Sequence, residues 1–170
     1  MVYRIVKYPD PVLEIPAAPV VDFGSELSKL VHDMFDTMWA SKGVGLAAPQ
    51  IGLSMRLAVI DTSAGENPSE RLVLINPEII FRSGSQTSEE GCLSIPTFRE
   101  NVTRPMIAKV RAQNPKGEFF ETSGEELLAR AILHETDHLN GILFINYLSP
   151  LKRDLIKRKI RKLQKSGEWD

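Results

Sequence analysis

The sequence predicts a single α+β domain spanning residues 1–170, with short antiparallel strands around a central buried helix. An amphipathic helix precedes them and a basic helix follows. Three observations carry that expectation. Apolar residues recur at helical spacing over 27–39 and again over 127–139. Between them lie runs of five to eight β-prone residues separated by turn residues. Residues 150–170 then hold eight Lys or Arg against three acids, a local +5 that leaves −6 for the rest of the chain. At 170 residues, 42% hydrophobic and 25% charged, the chain has the size and balance of one soluble globular domain.

Residues 1–21 are short apolar pieces broken by Pro9, Pro11, Pro16 and Pro19, which forbids a helix and predicts an extended surface segment. Leu27, Leu30, Val31, Met34, Phe35, Met38 and Trp39 then mark one face of a helix, with Ser25 or Asp22 as its cap and Gly43 as its stop. His32 falls off that stripe and reads as a surface residue. GVGLAAPQIG, residues 43–52, is either an irregular connection or a backbone that another chain can approach closely. RLAVID (56–61), RLVLINP (71–77) and EIIFRSG (78–84) read as strands, with 65–70 as a loop. MIAKVRAQ (106–113) and EFFET (118–122) flank Asn114-Pro115-Lys116-Gly117, a hairpin turn.

A second helix opens at Thr122 or Ser123, with Glu125 and Glu126 in its first turn. Leu127, Ala131, His134 and His138 share one side, and Leu128, Ile132 and Leu139 lie further round. An apolar arc this wide predicts a largely buried helix. Ser149-Pro150 starts the third helix, over 150–166. The first ten residues lack the apolar run of a signal peptide, and no stretch reaches transmembrane length, so the cytoplasm is expected and no membrane partner. One cysteine, Cys92, allows no internal disulfide and suits a reducing compartment.

The second helix carries His134-Glu135-Thr136-Asp137-His138. Histidines four residues apart lie about 40° apart around a helix, one turn above the other, so both imidazoles can reach one metal ion. Glu135 projects beside that ion, where a general base for an activated water is wanted. With 3 His and 14 Glu in the chain, the pattern His-Glu-x-x-His is expected by chance about 0.004 times. Buried imidazoles without a partner would also be costly, which strengthens the metal reading.

A catalytic metal needs three protein ligands and an open position. No histidine follows His138, and the later acids Asp154, Glu168 and Asp170 lie in the basic helix or the tail. Cys92, in EEGCLSIP, remains. Its plainer reading is a small buried hydrophobe, yet Gly91 and Pro96 around it describe a shaped turn. A thiolate with two imidazoles is a sound set for Fe²⁺, Zn²⁺ or Ni²⁺. A zinc endopeptidase would share the helix motif but should carry its third ligand downstream. A purely structural site prefers four closed ligands, and three are visible.

GVGLAAPQIG, EGCLSIP and HETDH, in that order and spacing, resemble the motifs of the peptide deformylase family, in its bacterial form. The resemblance implies a metallohydrolase that removes the formyl group from N-formylmethionyl peptides of nascent chains. It implies Cys92, His134 and His138 as metal ligands and Glu135 as the group that shuttles the proton. Gln50 and the backbone N–H of Leu93 would meet the oxyanion. Val44 and Gly45 would pair with the extended substrate, and Val44, Ala131 and His134 would border the methionine pocket. Fe²⁺ is implied as the physiological metal, with Zn²⁺ or Ni²⁺ as substitutes. Arg99 is expected at the cleft mouth, and Asp137 with Arg104 as a buried ion pair near the ligands.

The basic C-terminal helix, 150–166, has an apolar stripe of Leu151, Leu155, Ile156, Ile160 and Leu163. It reads either as a solvated helix docked by that stripe or as a weak, salt-sensitive contact with ribosomal RNA.

Overall fold

In a computed structural model covering residues 1–170, the chain builds one five-stranded antiparallel sheet, a separate two-stranded hairpin and three α-helices. The order along the chain is α1 (Ser25–Ala40), β1 (Gly45–Ala47), β2 (Leu57–Ile60), β3 (Leu72–Ser83), β4 (Gln86–Cys92) and β5 (Ile95–Arg104). Then follow β6 (Ile107–Gln113), β7 (Phe119–Glu125), α2 (Glu126–Leu139) and α3 (Pro150–Lys165). The large sheet runs β1-β2-β3-β6-β7, and β4 pairs with β5 alone. No helix is long and apolar enough to cross a membrane.

Alternation along β2 explains how the helices sit. Leu57 and Val59 join Met34 and Met38 of α1, whereas Ile60 joins Ala129, Ile132 and Leu133 of α2. Successive strand residues point to opposite faces, so the sheet carries α1 on one side and α2 on the other. The β4–β5 hairpin closes a further apolar cluster with Tyr8, Phe144, Ile156, Ile160 and Trp169.

Several boundaries differ from expectation. The two runs 71–77 and 78–84 form one strand, β3, with register shifts between Ile75 and Glu78 and between Ile79 and Phe81. Asn76 there takes φ 50, and its side chain exchanges hydrogen bonds with Val20 N and O at 2.8 and 2.9 Å. Pro77, which lacks an N–H, is thus accommodated at a bulge. β7 runs on to Glu125, paired with Ile107, so α2 begins at Glu126 rather than at Thr122 or Ser123. α1 has Gly24 as its N-cap instead of Ser25 or Asp22. Lys42, at φ 57, takes the left-handed position at its end, while Gly43 N–H donates to Met38 O at 3.0 Å. The 114–117 turn forms as expected, with Gly117 at φ 82.

α3 starts as read. Pro150 is its first residue, and Ser149 Oγ accepts from Lys152 N at 3.3 Å. Its stripe is only partly covered: Ile156 and Ile160 are buried, but Leu151 and Leu155 are exposed. The proline-rich start is extended except for a 3-10 turn, Pro11–Glu14, which begins at a proline where no N–H is needed.

Candidate metal centre

α2 is buried almost throughout from Ala129 to Leu139, and it presents His134 and His138 from successive turns. The two Nε2 atoms lie 3.2 Å apart, and Cys92 Sγ is 3.3 Å from His138 Nε2. The ligand atoms of the three residues all fall within 4.8 Å of one another. Cys92 ends β4. The following Leu93-Ser94 turn lets Ile95 pair back to Cys92, and pairing then jumps to Gly91 with Arg99, leaving Pro96–Phe98 as a bulge. The shaped turn expected at the cysteine is therefore the tip of a hairpin, with its strands missed on either side.

Glu90, two residues before Cys92, anchors the first histidine. Its Oε2 lies 2.7 Å from His134 Nδ1, which makes Nδ1 a donor and leaves Nε2 to face His138 Nε2 at 3.2 Å. The same carboxylate takes Arg104 Nε and Nη2 at 2.8 and 2.7 Å and Arg130 Nη1 at 2.8 Å. Arg104 Nη1 reaches Asp137 at 2.8 Å, so the pair expected there forms, and Tyr147 Oη donates to the same Asp137 oxygen at 2.7 Å. Glu90 and Arg130 escaped sequence reasoning. Only once β4 is known does alternation place Glu90 on the same face as Cys92.

The electrostatics of the cluster suit a cation. Burial works against a charged His134, yet Glu135, Cys92 and Glu90 together raise its pKa well above the ordinary imidazole value. Burial and the neighbouring His134 hold His138 well below it, so His138 is neutral. Burial, with Glu90 and Asp137 adding to it, pushes the Glu135 carboxyl up to about 7. Glu135 Oε1 is buried with no hydrogen-bond partner. Ligation by a thiolate and imidazoles competes with their protons, so metal binding there would release protons. By donor chemistry and by its unsatisfied carboxylate, the cluster fits a three-ligand metal.

Gln50 lies in a 3-10 turn, Ala48–Ile51, directly after β1. Its Oε1 accepts from Ala47 N at 2.9 Å, which turns its Nε2 to within 3.5 Å of Cys92 Sγ and 3.2 Å of Ser94 Oγ. Leu93 sits at the hairpin turn, facing Gly43. Gly45 is tight against Glu135: a Cβ there would collide with Oε2 and lie 2.8 Å from Cδ. β1 is an edge strand, bonded to β2 and to no strand on its other side. Val44, Gly45, Gln50, Leu93, Ala131 and Arg99 all border one cleft of ≈ 490 Å³ with Cys92, His134 and Glu135. Ala131 is buried in its wall, whereas Val44 and Arg99 are exposed at its mouth. His138 lies behind the cleft, 1% exposed. His32 stays on the surface, far from this cluster in role and 77% exposed at its side chain.

A family model described as polypeptide deformylase matches residues 2–154. A peptide deformylase of Acidobacterium capsulatum is 62% identical over 169 residues, which cover 99% of each chain. The solved peptide deformylase of Legionella pneumophila aligns at a TM-score of 0.91 and 44% identity, over 100% of this chain and 99% of its own. Arabidopsis thaliana peptide deformylase 1B aligns at 0.90 and 37% identity, over 97% and 92%.

Proposed function

This chain belongs to the polypeptide deformylase family, and we propose that Cys92, His134 and His138 hold the metal on which that family depends. It hydrolyses the formyl group from N-formylmethionine of newly made peptides and releases formate. The observation that carries the site assignment is the convergence of Sγ and two Nε2 atoms beside a buried, unpartnered Glu135, at an open strand edge.

A divalent ion held there supplies Lewis acidity toward water and the formyl oxygen. Glu135 takes the proton that the attacking water loses and delivers it to the methionine nitrogen as the C–N bond breaks. Charge grows on the formyl oxygen as its carbon becomes tetrahedral. Gln50 Nε2 and the Leu93 N–H donate to it there, and losing one such donor costs about 10²–10³ in turnover. The free edge of β1 at Val44 and Gly45 receives the substrate backbone as an added strand. Val44, Ala131 and His134 border the methionine side chain, and Arg99 meets the peptide at the mouth.

The physiological ion in this reading is Fe²⁺, with Zn²⁺ or Ni²⁺ able to replace it, since all three accept one thiolate and two imidazoles. The working place is the cytoplasm, where nascent chains and a reduced Cys92 coexist. α3 makes a weak contact with ribosomal RNA through exposed Arg158, Lys159 and Lys162. Because Ile156, Ile160 and Trp169 tie this region into the core, charge reversal at those three positions tests the contact better than truncation. Unchanged ribosome co-sedimentation at low salt would reject it.

Anaerobic purification, metal analysis and assay of formate release from a formyl-Met tripeptide test the whole reading, with casein as the control. Casein cleavage without formate would overturn it. Glu135→Ala should keep the metal and lose about 10²–10⁴ in turnover, the usual share of a general acid–base group.

A further inference from the structure

We propose that Lys42 and Arg99 form a cationic rim that selects the third residue of the substrate, favouring an acidic over a basic side chain. The inference rests on the deformylase reading and concerns the same cleft.

Position comes from β1. Gly45 lies against the Glu135 carboxylate, so the formyl carbon is level with Gly45 when a substrate strand lies along this edge. Strands advance about 3.3 Å per residue. Counting back from Gly45, the first two substrate residues come level with Val44 and Gly43, and the third passes the turn at Lys42. The pairing reaches one residue past the ladder, where Val44 O accepts from Asp61 N at 2.9 Å, and the chain before it turns at Ser41-Lys42. Lys42 is fixed by the end of α1, where its N–H donates to Trp39 O at 3.0 Å. It holds φ 57, a conformation that favours glycine, yet a long cation stands there at the cleft.

Arg99 lines the same cleft from β5. Its register partner is Gly91, and a Cβ on Gly91 would lie 2.8 Å from Arg99 Nη1, so the guanidinium crosses the glycine beside Cys92. Lys42 takes part in none of the ion pairs of the fold. Arg99 has one loose neighbour, Glu89 at 3.8 Å, with both side chains mostly exposed. Exposed pairs of that kind are weak and readily exchanged for a better partner. Of the other two acids of the cleft wall, Glu135 is buried and Glu90 is saturated by Arg104, Arg130 and His134. The mouth therefore presents two cations against one exposed acid.

The test compares kcat/KM of the metal-loaded enzyme for formyl-Met-Ala-Glu, formyl-Met-Ala-Gln and formyl-Met-Ala-Lys. The Glu peptide should exceed the Lys peptide by about three- to tenfold at low ionic strength, the size expected of two exposed charge contacts. The ratio should shrink toward one near 1 M salt, where screening reaches about 3 Å. Lys42→Arg should preserve the ratio, and Lys42→Glu should invert it, with the change carried in KM. Because the readout is a ratio within one preparation, partial unfolding of a variant does not move it. Equal rates for the three peptides at low salt, or a ratio untouched by Lys42→Glu, would overturn the rim and leave the deformylase reading standing. No formate from any of them would overturn both.

Discussion

Replacing Glu90 by Gln keeps the shape of the side chain and removes its charge, and the structure fixes what that should cost. Its two oxygens take four hydrogen bonds at 2.7–2.8 Å, three from the arginines Arg104 and Arg130 and one from His134 Nδ1. An amide has one acceptor oxygen and an NH₂ group that only donates, so in either orientation two of those donors lose their acceptor. All four residues are buried, and removing one partner of a buried pair typically costs about 3–5 kcal/mol. Asp137 still holds Arg104 Nη1 at 2.8 Å, which points to the low end, about 3 kcal/mol. Loss of a partner that orients a metal-bound histidine should weaken metal binding about 10–100-fold. Urea unfolding of the metal-free protein measures the first effect, and competition against a chelator measures the second. Stability within about 0.5 kcal/mol of the parent, well below the cost of a broken buried pair, with unchanged metal affinity, would refute the argument. Glu90 would then be a bystander to both the arginines and the metal.

Gly45→Ala should displace either β1 or the Glu135 carboxylate, because its Cβ would stand 2.8–2.9 Å from Cδ and Cγ of Glu135. A misplacement of that order costs about 10²-fold in turnover with metal content unchanged, and full activity in the formate assay would contradict it. Trp169→Ala should destabilise the fold by about 3–5 kcal/mol. The indole is 5% exposed, packs edge-on to Phe98 at 6.0 Å and donates to Tyr8 O at 2.6 Å; thermal or urea unfolding decides. Asp61→Asn should flatten the acid limb of stability. Burial opposes the Asp61 charge, but donors from Ser63, Trp39 and Gly65 hold its pKa below the ordinary value. Its stabilisation is thus present above the unfolded carboxylate pKa, about 3.9, and is lost as pH falls below it. Unfolding midpoints at pH 7, 4 and 3 that fall equally in parent and variant would exclude Asp61 from that role.

The sequence by itself determined whatever follows from spacing along the chain. His134 and His138, four apart, had to share one helix face, and Asn114–Gly117 had to reverse the chain. Ser149-Pro150 had to open α3. These are local facts, set by helical pitch, turn conformation and capping. The tertiary structure decided what depends on a distant partner. The β4–β5 hairpin was illegible because its buried face carries Glu90 and Arg104 in place of an apolar alternation, so it lacks the period that marks a strand. Glu90 became an anchor only when Arg130 and His134, 40 and 44 residues away, closed around it. Leu151 and Leu155 shared a stripe with Ile156 and Ile160, yet the core reached only the latter two, while Trp169 from the tail was drawn in. The open edge of β1, on which the substrate depends, is likewise a property of strand order. Periodicity is carried by neighbours in the chain. Burial of charge, and the free side of a sheet, are decided by which remote segments arrive to cover them.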